Sequence, residues 1–181
     1  MLSLNEVAQL TYTTFQYYMD QRGINLAVGP LTDADANLLS RAYGDLNWDW
    51  YITSVSNRDD CFGLSLKLMT SREHKLIESS PAGVSLSTYS ISSKTFDIHA
   101  VESFVRDSED HPLRRRMVLY TLYAAVIFMS QAGGEVIRII EPVEEKIAYY
   151  ESFGFEMSES CAYVMTCTLA KLQDTLARMA D

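Results

Sequence analysis

The second half of the chain alternates apolar segments of strand length with apolar segments of helix length. Residues 96–105 change polarity at every second position, residues 117–129 are apolar except for Thr121, and residues 136–140 form an unbroken apolar run. Strand side chains alternate with a period of two, whereas a helix that is apolar almost all round is covered on most sides. Strands separated by a helix are joined by right-handed crossovers and lie parallel. The order predicts an α/β fold with a sheet that is at least partly parallel.

The remaining elements are predicted from periodicity and from turn residues. Ser3 with Glu6 and Thr32 with Asp35 are capping-box pairs that begin two helices, and Pro112 suits the first turn of another. We predict helices over residues 3–20, 32–43, 112–132, 142–153 and 170–179. We predict strands over residues 24–28, 62–69, 82–89, 96–105, 136–140 and 162–169.

Two of these segments have a well-defined apolar face. In the strand over residues 96–105, one face is predicted to carry Phe96, Ile98, Ala100, Glu102 and Phe104. In the last helix, one face is predicted to carry Leu169, Leu172, Leu176 and Met179. Exposed stripes of this length are unusual on a monomer, so we expect the first and last helices to cover apolar surface within the chain or across a homodimer.

Composition limits the class of protein. The chain has 181 residues with 48% hydrophobic content, which suits one domain with a single core. Its formal net charge of −9 repels polyanions, so we expect no nucleic-acid partner. The longest apolar run is shorter than the roughly 20 residues of a membrane span, and no secretory signal is predicted. Three cysteines without metal-ligand spacing are typical of a reducing compartment, so we expect a cytoplasmic location.

The segment from residue 147 to residue 155 reads Ile-Ala-Tyr-Tyr-Glu-Ser-Phe-Gly-Phe. It is similar to the A-x-x-Y-E-x-x-G-F helix ending that closes the cores of the GNAT N-acetyltransferases. The order of elements over residues 96–169 resembles the acetyl-coenzyme A binding core of that superfamily. The resemblance implies one domain over residues 1–181, with an N-terminal helical extension over 1–22, a core over 24–169 and a C-terminal helix over 170–181.

The resemblance also implies a fold and a cofactor. It implies a mixed central sheet that splays open between its fourth and fifth strands, flanked by helices and by extra helices at both termini. In the family, the pantetheine arm of acetyl-CoA enters that splay, which here implies cofactor contacts from Phe104 and Val105. The pyrophosphate lies on an R/Q-x-x-G-x-G/A loop at the start of the next helix, where free N–H groups and the helix dipole favour anions.

The matching loop carries Arg114, Arg115 and Arg116, and both glycine positions hold bulky residues. Three arginines at a helix N-terminus oppose the macrodipole, so a compensating anion is expected. Either their guanidinium groups grip coenzyme phosphates directly, or they pair with the acidic residues just upstream, Asp107, Glu109 and Asp110. A second departure is Val143, which stands where active members often have an asparagine.

The resemblance assigns Tyr150 as the acid that protonates the departing coenzyme A thiolate, although an aromatic at this position can simply be a packing residue. Glu102 is the candidate general base, and His99 and Glu109 are weaker candidates. Each of the three can instead be a satisfied or solvated polar side chain. Trp48 and Trp50 follow the second predicted helix, in a loop that the resemblance implies would line the acceptor site, or they are buried core aromatics.

Two functions remain open. The chain is an acyl-CoA dependent N-acetyltransferase acting on a small-molecule or protein amine, or it is a non-catalytic GNAT-fold binding or structural protein, of a kind that phages encode. The missing glycines favour the second. No GxSxG elbow, GxxxxGK[ST] loop, HExxH helix or GxGxxG turn is present, and the three histidines lie far apart in sequence. Hydrolase, nucleotide-dependent and metal-dependent chemistries are therefore not predicted.

Overall fold

The computed structural model describes residues 2–55, 58–70 and 80–180. Within these ranges seven strands form one sheet, and their bounds are β1 Leu26–Gly29, β2 Cys61–Thr70, β3 Gly83–Ser90, β4 Thr95–Ser103, β5 Val136–Ile140, β6 Glu156–Met157 and β7 Val164–Thr168. Their spatial order is β1-β2-β3-β4-β5-β7-β6. Only β4 and β5 run parallel, and every other neighbouring pair is antiparallel. The predicted mixed sheet is confirmed.

The helices flank this sheet, and their bounds are α1 Leu4–Gln21, α2 Asp33–Leu39, α3 Trp48–Trp50, α4 Met117–Ala132, α5 Ile147–Glu151 and α6 Leu169–Ala180. A π-helical turn over Tyr51–Val55 continues α3, and a 3-10 turn over Glu144–Lys146 precedes α5. Both predicted capping boxes are formed, at Ser3 for α1 and at Thr32 for α2. Within the described ranges, no helix is both long enough and apolar enough to cross a bilayer.

Several predicted boundaries were wrong. The helix α4 begins at Met117 rather than near Pro112, because residues 112–116 form turns in which Arg115 has a left-handed φ of 57°. The helix α2 ends at Leu39 instead of continuing to about residue 43, and α5 has five residues. The strand β6 was missed, since two residues are too few to show an alternating pattern.

A β-bulge changes which side chains of β4 face each side of the sheet. Leu86 of β3 pairs with Ala100 and the next residue, Ser87, pairs with Ile98, so His99 is the extra residue. Because a bulge places two residues opposite one, the alternation shifts by one position there. The predicted single face is therefore wrong, because Phe96 and Ile98 belong to one core cluster and Ala100 belongs to the other.

The two clusters lie on opposite faces of the sheet. The larger one includes side chains of α1, α4 and α6. Its fully buried members include Phe15 and Met19 of α1 and Leu172 of α6. The smaller one lies under α2 and α3 and includes Leu39 and Trp48. Both terminal helices thus cover apolar surface within the chain, which confirms the first alternative, although Met179 is exposed instead of lying on the buried face of α6.

The sheet opens between β4 and β5. Their ladder joins residues 95–98 of β4 to residues 136–139 of β5, and β4 continues to Ser103 without pairing to β5. The last paired residues are Ile98 and Ile139, directly before the bulge at His99. The bulge and the end of the ladder coincide, so the strands diverge at their carboxyl ends. This is the predicted splay, and it is confirmed.

Candidate active site

A small cavity of about 110 Å³ lies between the diverging strands. Its apolar walls come from both strands and from α4, and include Val101, Val118, Leu122 and Ile139. Polar groups also line it, namely Tyr51, His99, Thr121, Glu141 and Tyr150. The splay therefore encloses an apolar slot into which several proton-carrying groups converge.

A larger cavity of about 740 Å³ adjoins the small one, since Leu46, Val101 and Val118 line both. Its basic lining residues are Arg106, Arg114, Arg115 and Lys146, and its acidic ones are Asp45, Glu102 and Glu145. The first residues of α4, Met117 and Val118, form part of the wall. The cavity thus combines a helix N-terminus with guanidinium and ammonium groups.

The start of α4 has no side-chain cap within the described ranges, because its N-cap residue is Arg116 and no side chain there bonds to the first turn. The N–H groups of a first helical turn have no partner inside the helix. Together with the positive end of the helix dipole, these donors favour an anion. This end of α4 can therefore bind a phosphate or carboxylate.

The arginines beside this helix end are mostly free of acidic partners. Arg114 reaches the backbone oxygen of Glu109 at 3.5 Å and its carboxylate at 4.0 Å, which is a weak contact. Arg115 and Arg116 are exposed, and neither forms an ion pair within the described residues. Of these three arginines, only Arg114 pairs with an acidic residue of the described chain. Most of the guanidinium N–H groups therefore remain available to a ligand.

Tyr150 projects from α5 into the small cavity. Burial raises the pKa of its phenol, so the hydroxyl stays protonated at neutral pH. Across the described part of the chain, no group forms a hydrogen bond with this hydroxyl. The neighbouring motif residues hold α5 in place, because Phe153 and Phe155 are buried and Gly154 adopts a φ of 93° that L side chains rarely adopt. Tyr150 therefore presents an uncommitted proton donor at the splay.

Unlike the hydroxyl of Tyr150, the carboxylate of Glu102 has several hydrogen-bond partners. Its carboxylate accepts hydrogen bonds from the backbone N–H groups of Asp45 at 2.6 Å and Leu46 at 3.3 Å. It also accepts from the indole of Trp48 at 2.7 Å and from Arg106 at 3.3 Å. Only 5% of the side chain is exposed. The carboxylate thus holds the segment before α3 against β4, and its acceptor positions are engaged.

His99, the bulged residue, reaches the small cavity. Its Nε2 lies 2.7 Å from the hydroxyl of Thr88 on β3. Burial lowers the pKa of the imidazole, so the ring is neutral at neutral pH and can accept a proton. Among the base candidates from the sequence, His99 lies in the same cavity as Tyr150, whereas Glu102 and Glu109 do not line it.

The other predicted site residues are spread over the molecule. Trp48 is buried at 1% exposure in the smaller core cluster, while Trp50 is 52% exposed and packs on the ring of Tyr51. Phe104 packs on the ring of Tyr43 beside the smaller core cluster, and Val105 packs against the larger core cluster. Of the residues that the structure describes, neither Phe104 nor Val105 lines either cavity at the splay.

Sequence reasoning did not identify Tyr51 or Glu141, both of which line the small cavity. Glu141 follows β5 directly and precedes Pro142, with a φ of 51°. A carboxylate at the carboxyl end of a parallel strand was the available signal, because such ends meet at binding crevices in open α/β sheets. No sequence pattern around Tyr51 indicates a site residue, because its position at the cavity depends on how α3 packs.

Comparison with known proteins finds similarity at the level of structure. No family model matches the sequence, and no curated protein matches it. A ribosomal-protein-S18-alanine N-acetyltransferase from Escherichia coli superimposes with a TM-score of 0.53 at 12% identity, covering 80% of this chain and 94% of that chain. A GNAT-family protein from Desulfovibrio desulfuricans gives a TM-score of 0.50 at 11% identity, covering 80% and 99%.

A mutant of the toxin AtaT, bound to the C-terminus of the antitoxin AtaR and to acetyl-CoA, gives a TM-score of 0.53 at 8% identity, covering 87% of this chain and 99% of that chain. These structures extend over most of the present chain and over nearly all of their own. Together with the splayed mixed sheet, they establish that this chain has the fold of the GNAT acetyltransferases.

Proposed function

We propose that the chain is an acyl-CoA dependent N-acetyltransferase that acts on an amine, with Tyr150 as the general acid. The observation that carries the proposal is the free Tyr150 hydroxyl inside the splay, next to an arginine-lined cavity at an uncapped helix start. Structural neighbours that are acetyltransferases support the same class of reaction.

The residues at the splay fit acetyl-CoA in charge and shape. Arg114, Arg115 and the first N–H groups of α4 supply donors for phosphate oxygens, replacing the close backbone contacts that glycines would allow. The larger cavity continues from these donors along Val101 and Val118, which also line the slot between β4 and β5. A slender uncharged arm in the larger cavity can therefore bring its thioester to the slot. When bound, the coenzyme would supply the acetyl group as a thioester with a thiolate leaving group.

The residues of the chain would then orient that thioester, exclude water and manage protons. Tyr150 holds a proton at its phenolic oxygen because burial raises its pKa, and it can donate that proton to a developing thiolate. Glu102 acts as an anchor for the segment before α3, because its carboxylate is already engaged by four donors. A net charge of −9 attracts cationic acceptors to the molecule.

The alternative is a GNAT-fold binding protein without catalytic activity, and the bulky residues at both glycine positions of the phosphate loop favour it. A thermal shift with acetyl-CoA separates the two at the first step. Saturation at 100 times the dissociation constant stabilises a folded domain by about 2.7 kcal/mol. No shift at any concentration would support the alternative.

Tyr150→Phe tests the chemical role. The hydroxyl has no hydrogen-bond partner within the described chain, so we expect the melting temperature and the acetyl-CoA affinity to stay nearly constant. Turnover in a thiol-release assay with a panel of primary amines should fall about 10²- to 10⁴-fold. Tyr163→Phe, which alters an exposed tyrosine, is the matched control. Undiminished turnover in Tyr150→Phe would reject Tyr150 as the acid.

A further inference from the structure

Two backbone irregularities face each other across the splay. On β4, the bulge inserts His99 opposite β3, and on the other side Glu141 follows β5 with a left-handed φ of 51°. Bulges and left-handed non-glycine residues cost free energy and concentrate at functional sites. Both irregularities direct a polar residue to the small cavity that contains Tyr150.

The conformation of Glu141 is unfavourable for two separate reasons. A non-glycine residue rarely has a positive φ, and a residue before proline is restricted to extended conformations, which here applies because Pro142 follows. The backbone N–H of Glu141 donates to the oxygen of Tyr163 at 2.7 Å, which fixes its position. Its side chain forms no hydrogen bond or ion pair within the described residues, and the residue is exposed. A free carboxylate is therefore held at the mouth of the cavity.

His99 completes the arrangement from the opposite strand. The charged groups that influence its imidazole are Asp97 on the same strand, Arg58 before β2, Arg138 on β5 and Glu141. Asp97 and Arg138 neutralise each other through two hydrogen bonds. Glu141 is then the carboxylate near His99 that has no cationic partner in the described chain.

We propose that Glu141 and His99 form the acceptor subsite for a primary alkylamine, in which Glu141 binds the ammonium group and His99 removes its proton. The proposal rests on the proposed acetyl transfer. Walls of Val101, Leu122 and Ile139 suit the methylene carbons next to the nitrogen, and the volume of about 110 Å³ disfavours branched or quaternary amines.

Protons and bonds balance in this arrangement. One ammonium proton moves to the imidazole of His99, and the freed lone pair forms a bond from nitrogen to the thioester carbonyl carbon. The carbon–sulfur bond breaks, and the sulfur takes the proton of Tyr150. The amide nitrogen loses its second proton, which restores the phenol, and the imidazolium releases its proton to water. The net products are an N-alkyl acetamide, a thiol and one proton.

Binding can be measured without turnover by nuclear magnetic resonance of the full chain labelled in its histidine rings. The probe is n-butylammonium chloride at pH 7, and tetramethylammonium chloride is the matched cation without N–H donors. We expect butylammonium to shift the His99 resonances saturably, with the resonances assigned through His99→Gln. The ring of His111, which lines neither cavity at the splay, is the internal control and should not shift.

Two variants test the carboxylate. Glu141→Gln should weaken butylammonium binding at least tenfold, because the charge is lost while the shape is kept. Glu144→Gln makes the same change at an exposed residue that lines neither cavity, and it should leave the affinity unchanged. A shift that does not saturate, or equal affinity in wild type and Glu141→Gln, would overturn the subsite.

Turnover separates the subsite from the proposed function. With any amine that is acetylated, Glu141→Gln should raise KM at least tenfold, and His99→Gln should lower kcat/KM by about 10²- to 10⁴-fold and remove the acid limb of its pH profile. Turnover that is insensitive to both variants would overturn the subsite and leave the acetyltransferase assignment intact. Saturable amine binding through Glu141 with no turnover for any amine would reject the acetyltransferase function and the proton transfer to His99, and it would keep only the ammonium site.

Discussion

The polar side chains around the splay differ in how far their hydrogen-bonding atoms are already engaged. Glu102 accepts from four donors, His99 contacts one hydroxyl, and the hydroxyl of Tyr150 has no partner in the described chain. A fully bonded buried group is costly to rearrange, whereas a free group is available to a ligand. At the residue scale, this difference makes Glu102 a structural support, whereas His99 and Tyr150 keep atoms that are available to a ligand.

Arg115 combines a left-handed backbone with a guanidinium group on the large cavity. If this group binds phosphate, Arg115→Ala and Arg115→Gly should both weaken coenzyme A binding, by about 1.5–3 kcal/mol at low salt. They should also reduce the salt sensitivity of binding. Arg115→Gly should be the more stable of the two variants, by up to about 1 kcal/mol, since glycine accepts a φ of 57°. Calorimetric titration and urea unfolding measure the two effects.

Arg41→Ala, which removes a guanidinium that lines neither cavity, is the control for net charge. Coenzyme A affinity that is the same in wild type and in both Arg115 variants would contradict the phosphate role.

At the element scale, β4 and β5 are hydrogen-bonded over the first part of β4 and separate beyond it. The parallel ladder ends at Ile98 and Ile139, and the preceding pair, Asp97 and Arg138, forms two side-chain hydrogen bonds at 2.6 and 2.5 Å. The ion pair therefore ties the strands together immediately before the bulge at His99. This contact fixes the point from which the strands diverge.

Asp97→Asn should lower the free energy of unfolding by about 1–3 kcal/mol, because it removes the charge from a bidentate pair in which the carboxylate side chain is only 14% exposed. Urea unfolding measures the change. Glu135→Gln is the matched control, since its ion pair with Lys94 at 2.6 Å is exposed on both sides and should contribute less than about 1 kcal/mol. Equal losses in the free energy of unfolding for the two substitutions would show that the Asp97–Arg138 pair stabilises the fold no more than an exposed ion pair does.

At the scale of the whole molecule, the sheet has a core cluster on each face, and different interactions stabilise the two clusters. The face under α1, α4 and α6 is joined mainly by apolar packing, with Phe15 and Phe128 fully buried. The face under α2 also depends on a buried ion pair, because Lys67 of β2 contacts Asp35 of α2 at 2.5 Å. Both side chains are less than a tenth exposed. Stability should therefore depend on pH chiefly through this second face.

Burial alone would raise the pKa of Asp35, but hydrogen bonds from Lys67 and Thr32 outweigh it and hold the pKa below its ordinary value. A carboxyl with a lowered pKa in the folded state contributes stability above its unfolded pKa of about 3.9 and loses it as pH falls through the folded pKa. Asp35→Asn should therefore lower the free energy of unfolding at pH 7 by about 3–5 kcal/mol, since it leaves Lys67 buried without a counter-charge.

The difference between wild type and Asp35→Asn should shrink as the pH falls below about 4, where the wild-type carboxyl takes up a proton. Melting curves from pH 3 to pH 8 measure it. Asp33→Asn, in the same turn of α2 but exposed, should have little effect at any pH. A constant difference across this range would contradict the assignment to ionisation of Asp35.

The sequence by itself determined the order of the longer helices and strands, because that order follows from local periodicity and from capping residues such as Ser3 and Thr32. It also identified Tyr150, Arg114 and Arg115, all of which line the cavities at the splay. These residues were found because a short motif and a charge cluster are visible in consecutive positions. The lengths of α2 and α5 and the start of α4 were less predictable, since turns there end or delay the helices.

Only the tertiary structure decided which side chains are available for chemistry. The bulge at His99 arises from cross-strand pairing, so no alternation within β4 alone reveals that its faces exchange. Glu102 is engaged by groups 54 to 57 positions earlier in the chain, among them the indole of Trp48. Glu141 reaches the cavity because the backbone turns unusually before Pro142. Contacts between distant segments fix these features, and a local pattern carries no information about them.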